Sequence, residues 1–147
     1  LVFENNTIYF SNNKNEFFSI NSETGLINWK QKINSFVRPV IVNNLIITVS
    51  SEGFLIIMEK GSGNIIRITD IFDVIGEKKR SSVYPINFVI GANDIFLTTT
   101  NGKLIIVELK TGKNKDTIKI DSNKISKPFI KKNNLYIIKN KAILRFN

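Results

Sequence analysis

Short apolar runs alternate with short polar breaks along the whole chain. The runs are rich in Ile, Val, Phe, Tyr and Thr and are bounded by Asn, Gly or Ser, which is the pattern of strands and tight turns. Helical spacing of 3.6 residues is not sustained over the length a helix needs. The most complete unit predicts strands at 37–42, 45–50, 54–59 and 64–71. The next repeats it at 83–90, 94–99, 103–109 and 116–120, and an earlier one reads 1–4, 7–11, 16–21 and 26–33. A fourth predicts only 127–131, 135–138 and 142–146. The approximate units are 1–36, 37–82, 83–126 and an incomplete 127–147, together one segment over 1–147.

The punctuation repeats with the strands. Thr24-Gly25, Ser62-Gly63 and Thr111-Gly112 close the third predicted strand of each unit, where glycine admits the positive φ of a tight turn. Pro39, Pro85 and Pro128 follow those glycines by 14, 22 and 16 residues. Proline cannot donate to a strand ladder, so its place in each first strand marks that strand as an edge. A period of about 40–50 residues signals a propeller or other repeat array. The fold class predicted is all-β, a partial β-propeller of about four blades. Each blade is a four-stranded antiparallel meander, with the last incomplete. A β-sandwich shares the strand spacing but does not require the repeated punctuation.

Charge adds an asymmetry. Residues 1–73 carry six Lys or Arg and seven Asp or Glu, whereas residues 74–147 carry fifteen and five, within a net charge of +9. Such a basic half suits an acidic partner or an anionic surface, and equally a solvated Lys-rich face. The chain has neither His nor Cys, which removes the usual general base, the zinc ligands and the thiol nucleophile. Asp70 and Asp73 are the nearest to a carboxylate pair, and their spacing reads as a turn. No catalytic, cofactor-binding or metal-binding residue is assigned. The longest irregular stretch, Asp73–Ser82, contains Lys78, Lys79 and Arg80, the candidate partner-binding residues, for which a solvated loop is the competing reading. No aromatics interleave with them, which argues against single-stranded nucleic acid.

The segment from Phe17 to Trp29 is similar to the repeat of the pyrroloquinoline-quinone-like (PQQ-like) β-propellers. It shows an apolar strand, Asn21 where the family has Asp, Thr24-Gly25, and Trp29 four residues after the glycine. Glu59 and Glu108 hold the Asn21 place in the later units, while Arg67 and Asp116 replace the tryptophan. The resemblance implies that Trp29 is a docking residue, substantially buried between the first and second units. It is nearest to the non-catalytic branch, typified by the lipoprotein of the outer-membrane β-barrel assembly machine. It thus implies no enzyme and no cofactor, but a bacterial protein-interaction scaffold of the periplasm or cell envelope. The alternatives are a fragment of a quinone-dependent dehydrogenase, whose Cys pair is absent, or a basic module for anionic membrane surfaces. The resemblance further implies the C-terminal part of a larger propeller. Its exposed strand edge or terminal blade face would then pair with another copy as a homodimer.

Overall fold

The computed structural model describes residues 1–146. They form fifteen strands and one short helix: β1 (Val2–Glu4), β2 (Thr7–Ser11), β3 (Phe17–Asn21), β4 (Ile27–Gln31), β5 (Val40–Val42), β6 (Leu45–Val49), β7 (Phe54–Glu59), β8 (Ile65–Asp70), α1 (Glu77–Arg80), β9 (Pro85–Gly91), β10 (Asp94–Thr99), β11 (Lys103–Glu108), β12 (Asn114–Lys119), β13 (Phe129–Lys131), β14 (Asn134–Lys139) and β15 (Ala142–Phe146). Each sheet is an up-and-down meander: β1-β2-β3-β4, β5-β6-β7-β8, β9-β10-β11-β12 and the three-stranded β13-β14-β15. The four blades expected from the repeat, the last one strand short, are therefore present. The chain divides into two compact units, the first spanning Leu1–Thr69 and the second starting at Asp70.

The prolines stand where a missing N–H costs least. Pro85 opens β9, and Pro39 and Pro128 immediately precede β5 and β13, each the first strand of its sheet and at its edge. Hairpin turns use residues that tolerate positive φ, with Asn5 at 48° and Asn6 at 58°. In the last blade the register pairs Lys131 with Asn134, so the turn is Lys132-Asn133. Asp73–Ser82 is also less irregular than expected, because Glu77–Arg80 winds into α1.

Central strands carry the burial. All of β6 after Leu45 is buried, and β7 is buried from Leu55 to Met58. In unit 1 the core gathers Tyr9, Phe17, Ile33, Ile46, Ile56 and Met58, with Trp29 packed against it. In unit 2 it gathers Leu104, Ile125, Leu135 and Ile137.

The repeated Thr/Ser-Gly step has a consistent internal logic. The hydroxyl accepts the backbone N–H two residues on, from Leu26 to Thr24, Asn64 to Ser62 and Lys113 to Thr111. In blades two and three that hydroxyl also donates to Glu59 or Glu108, while in blade one Asn21 Oδ1 accepts the N–H groups of Glu23 and Thr24. Acceptors at Asn21, Glu59 and Glu108 thus organise the same turn.

Trp29 joins the first two blades. Its ring stacks on Phe17, with centroids 6.0 Å apart, and leans on Tyr9 at 6.2 Å. Its Nε1–H donates to the Lys60 carbonyl at 3.0 Å. The ring lies over Gly63, where an added Cβ would stand 2.5 Å from two ring carbons. Gly63 is thus fixed twice, by φ of +72° and by this close approach. Trp29 is half-buried rather than substantially buried, because it sits on the outermost strand of its sheet.

Candidate protein-binding face

Each meander has two ends, and hydrogen bonds show which turns share one. At one end the β1–β2 and β3–β4 turns are linked by the Ser22 N–H to the Asn6 carbonyl, as are their counterparts by Lys60 to Asn44 and by Leu109 to Asn93. At the other end the second turn of a blade meets the segments that cross between blades. Ser51 N–H donates to the Asn34 carbonyl, Thr100 N–H to Tyr84, and Ile120 N–H to Gly102. In unit 2 this end holds Lys78, Lys79 and Arg80.

Its turns are pre-formed by one recurring device. A polar side chain at the end of the second strand accepts the N–H four residues on: Asn12 from Glu16, Ser50 from Phe54 and Thr99 from Lys103. Loops already held in this way lose little entropy when a partner docks.

The structure divides Lys78, Lys79 and Arg80. All three belong to α1, where no residue is buried. Arg80 turns back and grips Asp70 with both terminal nitrogens, at 2.6 and 2.7 Å. The Asp70 carboxylate also caps the Phe72 N–H, so this aspartate serves a turn, as its spacing suggested. Lys78 and Lys79 are left exposed beside this strut. The last blade crossing is pinned at Asp121, which takes the Asn123 N–H and an ion pair from Lys139 at 3.2 Å. Those contacts, the Asn123 bond foremost, hold its carboxyl below the usual value.

In unit 1 the crossing end opens into a cleft of about 600 Å³, walled by Lys14, Glu16, Lys32, Glu52, Phe54 and Ile68. Glu16 is held below its ordinary pKa, first by the Asn12 amide and then by Lys30 at 3.2 Å. For Glu52, burial pushes the carboxyl up, but hydrogen bonds from Asn34 and Ser50 outweigh it and leave it lowered. Both carboxylates stay ionised, with Glu16 turned onto its own loop and Glu52 onto the crossing at Asn34. Lys14 and Lys32 are exposed, and among the described residues neither forms an ion pair.

The crossing from β4 to β5 continues this wall and escaped the sequence reading. Lys32, Phe36 and Arg38 are exposed while Ile33, Ser35, Val37 and Pro39 are buried, a strict alternation. At Ser35 and Phe36 the alternation runs against side-chain polarity. Ser35 goes inside because its hydroxyl bonds Thr48 Oγ1 at 3.0 Å and the Val49 carbonyl at 2.8 Å, and Phe36 is pushed out to 71% exposure.

Among the described residues no group of three or more His, Cys, Asp or Glu converges to hold a metal, and no helix is long and apolar enough to cross a membrane. Residues 1–69 match the family described as outer membrane protein assembly factor BamB. The BamB of Legionella pneumophila (strain Paris) is 23% identical over 107 residues, 71% of this chain and 26% of the relative. The chain thus spans about a quarter of that relative's length. The crystal structure of BamB from Moraxella catarrhalis is 13% identical, covers 98% of this chain and 40% of its own, and superposes with a TM-score of 0.72. A europium-containing methanol dehydrogenase is 13% identical over 78% of this chain and 23% of its own, with a TM-score of 0.60. The fold is that of β-propeller blades, and residues 1–69 carry the likeness to the PQQ-like repeats of the BamB type.

Proposed function

We propose that this run of PQQ-like repeats is a non-catalytic, protein-binding scaffold of the bacterial cell envelope, working in the assembly of outer-membrane proteins. The likeness to BamB in sequence and fold supports the context. The observations that carry binding are the crossing ends of the two units, each taken by itself: turns fixed by Asn12 and Ser50 with exposed charge and an exposed aromatic in unit 1, and a turn fixed by Thr99 in unit 2. Of Asp70 and Asp73, the nearest to a carboxylate pair, Asp70 is taken up by an ion pair with Arg80. Lys78 and Lys79 are contacts for an acidic partner, with Arg80 as the strut that holds them.

Photo-crosslinkers placed at Lys32, Lys79 and Asn101 should yield one discrete protein adduct in an envelope extract, while those at Asn6 and Asn44 yield none. Equal adducts from both ends, or none, would sink the scaffold reading. Titration with pyrroloquinoline quinone and calcium should give no saturation, since saturable micromolar binding would instead assign the chain to the quinone-dependent dehydrogenases. Sedimentation with anionic vesicles addresses the membrane-surface alternative, in which binding must vanish at high salt. Self-pairing of the segment through β15 is a further part of this reading, and a strict monomer in light scattering at high concentration refutes it.

A further inference from the structure

We infer that the unit 1 cleft and the crossing beside it receive an extended acidic segment of a partner protein. An apolar side chain of that segment is seated in the cleft, and its carboxylates are met by Lys14, Lys32 and Arg38. This rests on the scaffold reading and names the partner chemistry of one part of that face.

Shape comes first. A cleft of about 600 Å³ suits one large side chain with its flanking backbone, and Phe54 and Ile68 give it an apolar lining. Ile68 is 55% exposed, so covering it removes apolar surface from water. Charge then selects among apolar ligands. Lys30 neutralises Glu16, and the Asn34 amide at 2.7 Å draws Glu52 back onto the crossing. With Lys30 set against Glu16, Lys14 and Lys32 face the remaining Glu52 carboxylate, and the cleft is left with a net positive charge.

The crossing supplies the direction. Its alternation shows Lys32, Phe36 and Arg38 on one side with a strand's two-residue repeat, which matches an extended ligand rather than a helix. Exposed Phe and Arg on a rigid backbone are side-chain types that concentrate binding energy. Rigidity here is built in. Ser35 is locked to Thr48 and Val49, and the Ser51 N–H holds the Asn34 carbonyl at 2.7 Å. Nothing needs to order before an acidic strand lies along it.

The test uses the full chain and two short fluorescein-labelled peptides, one alternating Glu with Leu and one alternating Lys with Leu, read by anisotropy. The Glu/Leu peptide should bind saturably and weaken with salt. A Lys14→Glu, Lys32→Glu double variant should weaken it by about tenfold or more, as rim charges in a defined site do. That same variant should gain binding of the Lys/Leu peptide. Phe36→Ser should weaken the Glu/Leu peptide with its salt dependence retained. A Lys131→Glu, Lys132→Glu control on the last blade removes as much charge from the chain and should leave binding unchanged. The inference is overturned if the Glu/Leu peptide does not bind, if both double variants lose it equally, or if anionic phosphatidylglycerol vesicles displace it. In any of those cases adducts from Lys79 and Asn101 would still stand for a scaffold, so the two readings fail separately. All three variants lie on exposed positions, and unchanged circular dichroism confirms that each folds.

Discussion

Replacing Gly63 by Ala separates the two demands placed on that glycine. A side chain at φ of +72° costs roughly 1–2 kcal/mol, of which the stiffer unfolded chain offsets roughly 0.4–1 kcal/mol. Gly25 has the same φ of +72° with nothing within 4 Å of an added Cβ, so Gly25→Ala should cost about 1 kcal/mol. At Gly63 the Cβ would also meet the Trp29 ring at 2.5 Å, and the ring must move. Moving it breaks the 3.0 Å bond from Nε1 to the Lys60 carbonyl, about 1 kcal/mol, and disturbs the stack on Phe17, about another 1 kcal/mol. Gly63→Ala should therefore cost about 3 kcal/mol, some 2 kcal/mol more than Gly25→Ala. Both sites lie in unit 1, which holds the chain's single tryptophan, so urea unfolding followed by Trp29 emission reads both variants on the same element. In a Trp29→Ala background, followed by circular dichroism, the excess at Gly63 should disappear, a coupling of about 2 kcal/mol. Equal losses for the two glycine variants, or an excess that persists without the tryptophan, would refute the contact as the cause.

Trp29→Ala alone should cost about 3 kcal/mol, at the lower end for a large aromatic because the ring is half-buried, and denaturant titration measures it. Asp70→Asn loosens the grip on Arg80, so trypsin should cut at Lys78 and Lys79 several-fold faster, with global stability falling by at most about 1 kcal/mol for a pair this exposed. Glu16 titrates below its ordinary 4.5 in the folded state, so the folded chain binds fewer protons. Its stabilising share is present above 4.5 and lost as pH falls through the folded value. Asn12→Ala removes the main cause and should flatten that acid limb in melts run down the pH scale.

The strands were legible because each is specified locally. Alternating β-branched and aromatic residues fit a pleated, half-buried surface, and the turn residues between them carry their own backbone preferences. Thus β2, β7, β10 and β15 have the bounds the sequence predicted, and Pro85 fell on a first strand while Pro39 and Pro128 fell just before theirs. The Thr/Ser-Gly steps and Trp29 were readable from the repeat, though the half-burial of Trp29 depended on its place on an outermost strand. Less of the candidate face was legible. Lys78, Lys79 and Arg80 stood out as a basic run, but only the fold joined Arg80 to Asp70 and wound four residues into α1.

The sequence by itself determined the strands, their order, the repeat and the positions of the turns, since those depend on periodicity and on neighbours a few residues apart. Tertiary structure alone decided that Gly63 lies under Trp29, that Lys14 and Lys32 share a cleft, and that Ser35 points in while Phe36 points out. The physical reason is distance along the chain. Ser35 is buried by hydrogen-bond partners on Thr48 and Val49, and such partners exist only after the blades have formed, so no local pattern could announce them.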